Sequence, residues 1–279
     1  MRLMLLVTMA ALLLQPETAM GAVRDSCCLF VTAVMPGLLP YLVLSAMLLS
    51  RVRGRSPWLL TLLGWCGGSP SGARLLAMTS GLTGRQRAFV SAATATMSPM
   101  FLVGTCGAWL GSAGAGFVLL ASVLAGGGIA GLLAGAWAGR AGEAASTADA
   151  LPQTPLALGA AVEQAARTLL MVCGTMAMWR MLAELAVRLC PPFSLLLTTL
   201  LEVTRGVQQL AALPLPLALR TALVAGATAL GGMAILTQNR AVRGSDAPPL
   251  AVQAFWQAVH GAASFLLALG LMLLWDAGT

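Results

Sequence analysis

Two glycine pairs, Gly67-Gly68 and Gly231-Gly232, interrupt apolar runs in the two halves of the chain, and each is followed by polar residues and an arginine. Helix breakers and ionisable groups at bilayer depth persist only where they are buried in protein or line a cavity. Matched breaks in two halves therefore point to a binding site of the kind found in membrane transporters. That the chain belongs in a membrane follows from its composition. Hydrophobic residues make up 58% and charged residues 9% of it, where a soluble domain carries about 25% charged residues. The mean hydropathy is +0.87. A hydrocarbon core about 30 Å thick takes about 20 apolar residues per helix, so 279 residues hold several spans and no soluble catalytic domain.

All 16 basic residues are arginine, and the formal net charge is +7. Arg51, Arg53 and Arg55 form the densest basic cluster. The positive-inside rule makes that cluster, and Arg2 with it, cytoplasmic; it gives the charge a membrane-anchoring role and leaves no reason to expect a nucleic-acid partner. The six cysteines (27, 28, 66, 106, 173 and 190) sit in or beside apolar stretches with no C-x-x-C spacing. They read as small core hydrophobes, not as a disulfide framework or a metal site. Gly126, Gly128 and Gly131 match G-x-G-x-x-G without the strand that gives this motif meaning. No nucleophile elbow, P-loop or zinc spacing is present, so neither an enzyme nor a cofactor is expected.

The expected fold is all-α and polytopic. A first helix is predicted over residues 1–20, with an N-terminal unit at 1–21, and a second span over 27–50 kinked by Pro36 and Pro40. Residues 58–97 are rich in glycine and arginine, and their apolar pieces are too short to cross. They read as a re-entrant hairpin packed within the protein. Two close-packed spans follow over 99–139, where Gly127, Gly131, Gly135 and Gly139 make a small-residue face. Residues 140–155 form a polar linker, and 156–189 one long helix whose pairs Glu163/Arg167, Arg180/Glu184 and Glu184/Arg188 lie along a stripe. Further helices are expected at 192–212, 214–238 and 251–275.

The halves 22–139 and 156–279 share an order of features. Ala22-Val23 parallels Ala161-Val162, Gly67-Gly68 parallels Gly231-Gly232, and Ser98-Pro99-Met100-Phe101 parallels Ala263-Ser264-Phe265. If the halves enter the membrane from opposite sides, they form an inverted repeat with a site near the midplane.

Met35-Pro36-Gly37-Leu38-Leu39-Pro40-Tyr41, Gly67-Gly68-Ser69-Pro70-Ser71-Gly72-Ala73-Arg74, Ser98-Pro99-Met100-Phe101, Leu201-Glu202-Val203-Thr204-Arg205-Gly206, and Gly231-Gly232 with Gln238 occur in that order. Together they resemble the YlbJ (SpoVV) family of sporulation integral membrane proteins. That family is built from two nucleoside-recognition Gate domains similar to parts of concentrative nucleoside transporters. The resemblance implies a transporter that moves dipicolinic acid across the outer forespore membrane during spore cortex formation. It also implies partners among lipids, further copies of the chain or other sporulation membrane proteins. A nucleoside or nucleobase transporter and a non-transporting scaffold in spore assembly are the alternatives.

Dipicolinate is a flat aromatic dianion, and arginine's planar fork suits carboxylates. Arg74, Arg205 and Arg240 follow or sit within expected backbone breaks and are the candidate anion ligands. Ser69, Ser71, Thr204, Gln238 and Asn239 could supply neutral hydrogen bonds, and Ser98 joins this substrate-binding set. Each could instead satisfy freed backbone groups or cap a helix. Glu202 is a candidate proton-coupling group or, as the preferred reading, a counter-ion to Arg205. His260, the only histidine, reads as a packed residue without catalytic duty.

Overall fold

The computed structural model describes residues 9–10, 12–51, 56–140 and 155–278. The start of the expected first helix, Arg53 and Arg55, and most of the expected linker lie outside these. Helices make up the structure, with no strand among the described residues. Five helical stretches are long and apolar enough to cross a bilayer: Pro16–Leu49, Ala113–Arg140, Leu158–Leu189, Leu217–Asp246 and Leu250–Trp275. The chain is an all-α, multi-pass membrane protein.

In chain order the helices are α1 (Pro16–Leu49), α2 (Pro57–Gly67), α3 (Ser71–Ala77), α4 (Gly84–Ala93), α5 (Phe101–Leu110), α6 (Ala113–Arg140), α7 (Leu158–Leu189), α8 (Ser194–Leu201), α9 (Val203–Ala211), α10 (Leu217–Leu230), α11 (Gly232–Arg243) and α12 (Leu250–Gly278). α1 runs unbroken through residues 21–27, where the sequence reading divides a first helix from a second. Gly21 alone does not end a helix, and Arg24 and Asp25 are exposed on its surface. A π-helical turn occupies Phe30–Val34, just ahead of Pro36, and the α-helix continues through Pro40. The wider turn accommodates carbonyls that the proline rings leave without a donor.

Three other expectations change. Residues 99–139 hold one long helix, not two. α5 has ten residues, about 15 Å at 1.5 Å per residue, too short to cross alone. The single helices expected over 192–212 and 214–238 are each broken, at Glu202 and at Gly231.

These breaks give both halves one order of elements: a long helix, a pair of short helices, a broken helix and a long helix. α1, α2/α3, α4/α5 and α6 are followed by α7, α8/α9, α10/α11 and α12. In this order Gly67-Gly68 falls level with Glu202, while Gly231-Gly232 falls level with residues 94–98. The sequence had paired the two glycine pairs, one element out of step. Packing repeats in the same way. α4 lies on α6 as α10 lies on α12, while α1 meets α7 and α6 meets α12 across the halves.

Close approach between these helices depends on small residues, because in lipid van der Waals contact replaces hydrophobic burial as the force between helices. The α6 glycines seat α4: a Cβ on Gly127 would stand 2.7 Å from the Ala93 carbonyl oxygen, and one on Gly135 3.2 Å from that of Arg85. In the second half a Cβ on Gly261 would stand 2.9 Å from the Gly226 carbonyl oxygen. Gly261→Leu is therefore expected to destabilise the protein by about 1–3 kcal/mol through overpacking. Gly270→Leu, on the same helix but with nothing within 4 Å, should leave the melting temperature in detergent essentially unchanged. Equal effects of the two substitutions would contradict this packing.

Candidate functional site

The two short-helix pairs are hairpins, and each closes tightly on itself. A Cβ on Gly64 of α2 would stand 3.2 Å from the Cα of Gly72 in α3, and one on Gly206 of α9 2.5 Å from the Cα of Thr199 in α8. At the first tip Gly68 adopts φ +70, open to a residue without a Cβ. A Cβ there would also collide with the Ser98 backbone nitrogen at 2.4 Å. The Ser69 backbone N–H donates to the Thr96 carbonyl at 2.5 Å. The tip of the first hairpin thus docks on the break between α4 and α5. The second hairpin docks likewise on the break between α10 and α11: a Cβ on Gly232, at φ +64, would stand 2.8 Å from the Leu200 carbonyl oxygen.

Glu202 shapes the second tip. Its two carboxylate oxygens accept from the backbone N–H groups of Thr204 and Arg205, each at 3.0 Å. It is the N-cap of α9, where a negative charge meets the unpaired donors and the positive end of the helix. The expected pairing with the Arg205 guanidinium is not formed; that group donates to Gln208 Oε1 at 2.5 Å.

Both tips and both breaks converge on one buried cavity of about 40 Å³ lined by Ser69, Ser98, Glu202, Thr204 and Gln238, with Val34, Leu38 and Phe101 among its apolar walls. Five of the ten candidate residues meet here. A water molecule needs roughly 10–15 Å³ by this measure, so the cavity has room for water-sized molecules and none for an organic solute in this conformation. Glu202 is its one charged lining residue.

The remaining five stand elsewhere. Asn239 lies beside the centre, its Nδ2 donating a long 3.5 Å hydrogen bond to Ser69 Oγ. Ser71 Oγ is buried in the first hairpin without a partner. Arg74 donates to Gln164 Oε1 on α7 at 2.8 Å, and Arg240 to the Pro248 carbonyl. With Arg205 turned to Gln208, none of the three expected anion ligands lines this cavity or the larger one described below. Each guanidinium is turned to one oxygen of the fold, while Arg74 Nη1 and Arg205 Nε stay buried without a partner.

Two arginines that the sequence reading passed over line a larger cavity of about 560 Å³ among α4, α6, α11 and α12. Arg243 donates from Nη1 to Ser91 Oγ and from Nη2 to the Asp246 carbonyl, both at 2.7 Å. Arg87 donates to the Thr79 carbonyl at 3.1 Å and pairs with Asp246 Oδ2 at 2.6 Å. Asn239, Gln257, Trp137 and Trp256 share the lining. The signal for Arg243 was available: it stands four residues after Asn239, on the same helical face. Arg87 carried no comparable signal, because only the tertiary fold brings α4 to Asp246.

His260 is fully buried, its Nε2 at 2.9 Å from the Val123 carbonyl oxygen, in keeping with a packed residue. The cysteines are free, and no metal-ligating cluster exists among the described residues. No family model, no curated protein and no solved structure matches the chain. Fold and site together define a polytopic membrane protein with two hairpins meeting at a buried polar centre.

Loss of the cap should weaken the second hairpin. Glu202→Ala is expected to cost about 1–2 kcal/mol in thermal or denaturant unfolding, and Arg205→Ala about 0.5 kcal/mol, the worth of a local helical pair. Comparable losses would return Glu202 to the role of counter-ion.

Proposed function

We propose that this chain transports a small organic anion across a membrane, with the two hairpin tips as the moving parts of its barrier. The observation that carries the reading is the convergence of two hairpin tips and two helix breaks on a single polar centre. Non-helical backbone at membrane depth is costly unless it lines a cavity or a pathway, and this fold brings four such sites together. The two halves act as an inverted repeat in this reading, each hairpin opening the centre to one side. The 40 Å³ centre is then the closed barrier, and the 560 Å³ cavity, with its two arginines, is the chamber large enough for the solute. Dipicolinate, implied by the family resemblance, is the first solute to test, and the forespore membrane the corresponding location. The reading assigns the chain no catalysis and needs no cofactor.

A nucleoside or nucleobase is the second reading, favoured by the centre itself. Ser69, Ser98, Thr204, Gln238 and Glu202 present hydroxyl, amide and carboxylate groups there and no cation, a set that pairs with the N–H and O–H groups of a neutral solute.

Proteoliposomes containing the purified chain should take up labelled dipicolinate saturably. Gln238→Ala should lower the rate roughly tenfold, the scale of one buried hydrogen bond lost. Uridine uptake without dipicolinate uptake would select the second reading. Flux of neither solute, from protein shown to be folded, would overturn both and favour the scaffold.

A further inference from the structure

We infer that Cys27 and Cys173 form a redox pair, which a peroxide closes to an intramolecular disulfide that latches α1 to α7. The effect of the latch on solute movement rests on the transport reading above; the bond itself rests on the geometry of the two thiols. Cys27 Sγ and Cys173 Sγ stand 3.9 Å apart although 146 residues separate them in the chain. The sulfurs are thus in contact, against about 2.05 Å in a bonded pair. Rotation about the two Cα–Cβ bonds swings them through the remaining distance. Both residues are half-buried. Among the described residues no other two thiols meet in this way: Cys28, Cys66 and Cys190 are exposed, and Cys106 is buried in a different core cluster. The spacing of the cysteines carries no sign of the pair, because only the packing of α1 on α7 brings it together.

The pair stands where a disulfide would persist. The end of α1 meets the start of α7, where the Leu156 N–H donates to Ser50 Oγ at 2.9 Å. Arg51 follows, in the basic cluster that the positive-inside rule puts in the cytoplasm. Cys27 lies 24 residues before Arg51, about 36 Å along a helix at 1.5 Å per residue. That is the opposite edge of a hydrocarbon core about 30 Å thick, and the exposed Arg24 and Asp25 within one turn of Cys27 mark it. Thiols at the non-cytoplasmic face escape the cytoplasmic reductants, so a bond formed there is kept.

Hydrogen peroxide is small and uncharged and reaches a half-buried thiol. One sulfur attacks a peroxide oxygen, the O–O bond breaks, and a sulfenic acid and one water form. The second sulfur then displaces the hydroxyl as another water and makes the S–S bond. The two thiols lose two electrons and two protons, and the peroxide is reduced to two waters. Cys173 packs against the cluster of Phe30, Val172 and Met176, as does Val34, and Val34, Val172 and Met176 line the polar centre. The π-helical turn of α1 begins three residues after Cys27. A covalent tie at this point fixes α1 against α7 along one wall of the centre. Movement of that wall is blocked until a thiol reductant exchanges with the bond and opens it.

The test treats the full chain in proteoliposomes with hydrogen peroxide, quenches and denatures it, and counts free thiols with a maleimide. Two of the six thiols should be lost and then recovered with dithiothreitol, in a chain of monomer mass. Cys28→Ser should lose two as well, whereas Cys27→Ser and Cys173→Ser should form no internal link. Retention of all six thiols, a bond from Cys28 to Cys173 read from peptide masses, or a link between two chains would overturn the pair. The linked protein should melt roughly 5–10 °C above the reduced one, and an unchanged melting temperature would overturn the latch. Oxidation should abolish uptake of labelled dipicolinate by the unmodified sequence and leave that of Cys27→Ser intact. Full uptake by linked protein would also overturn the latch, while leaving the redox pair. Absence of uptake before oxidation would sink the transport reading alone, since the thiol count and the melting shift still decide the bond.

Discussion

A backbone group released from a helix inside a membrane has no water to pair with, and the structure is arranged around that constraint. The chain breaks its helices at four places and brings each break against another. The first hairpin tip donates from Ser69 to Thr96 in the break between α4 and α5, and the second tip presses Leu200 against Gly232 in the break between α10 and α11. The hairpin and the broken helix of one half therefore depend on each other. Neither is a stable unit in lipid alone, and their meeting is what places polar side chains at the centre of a chain that is otherwise apolar.

The same constraint explains where the arginines went. At bilayer depth a guanidinium is tolerated when its donors are taken up by fixed acceptors, and Arg74, Arg205 and Arg240 are each turned to such a partner. Arg87 and Arg243 also have partners, but theirs converge on Asp246 from two helices, which leaves both beside a cavity. An arginine near a helix break is thus a weak indicator of an anion site on its own.

Much of the architecture was legible in the sequence because it depends on local signals. Long apolar runs gave α7 and α12, and the glycines of 58–97 announced a hairpin, which the structure confines to α2 and α3 while α4 of the same stretch packs on α6. The second hairpin was missed because its break has no glycine or proline at the tip. Leu201-Glu202-Val203 reads as helix, and the break is made by a side chain that caps the next helix, a tertiary outcome in an apolar surrounding. That omission shifted the internal register by one element, since the glycine pairs were the obvious marks to align. Of the site, Ser69, Ser98, Glu202 and Thr204 were found because each stands at or beside a break, and Gln238 because it is a polar residue in the apolar stretch that follows one. The chamber was not, because Arg87 and Asp246 are 159 residues apart and no periodicity links them.

The two tips solve one problem by different chemistry, and the difference bears on how each can move. At the first, Gly68 and the Ser69 N–H make contact through backbone atoms, and Gly64 and Gly72 close around Thr94 so tightly that a Cβ on Gly72 would stand 2.1 Å from its Oγ1. Steric contact of this kind loses a quarter to a half of its attraction over a gap of about 0.5–1 Å and is insensitive to charge. At the second, the turn is held by the Glu202 carboxylate and its two backbone donors, an electrostatic clasp strengthened by low dielectric. The second tip is thus held by a charged group, whereas the first presents only the neutral hydroxyls of Ser69 and Ser71. The halves repeat in order of elements but not in the interaction that closes each hairpin.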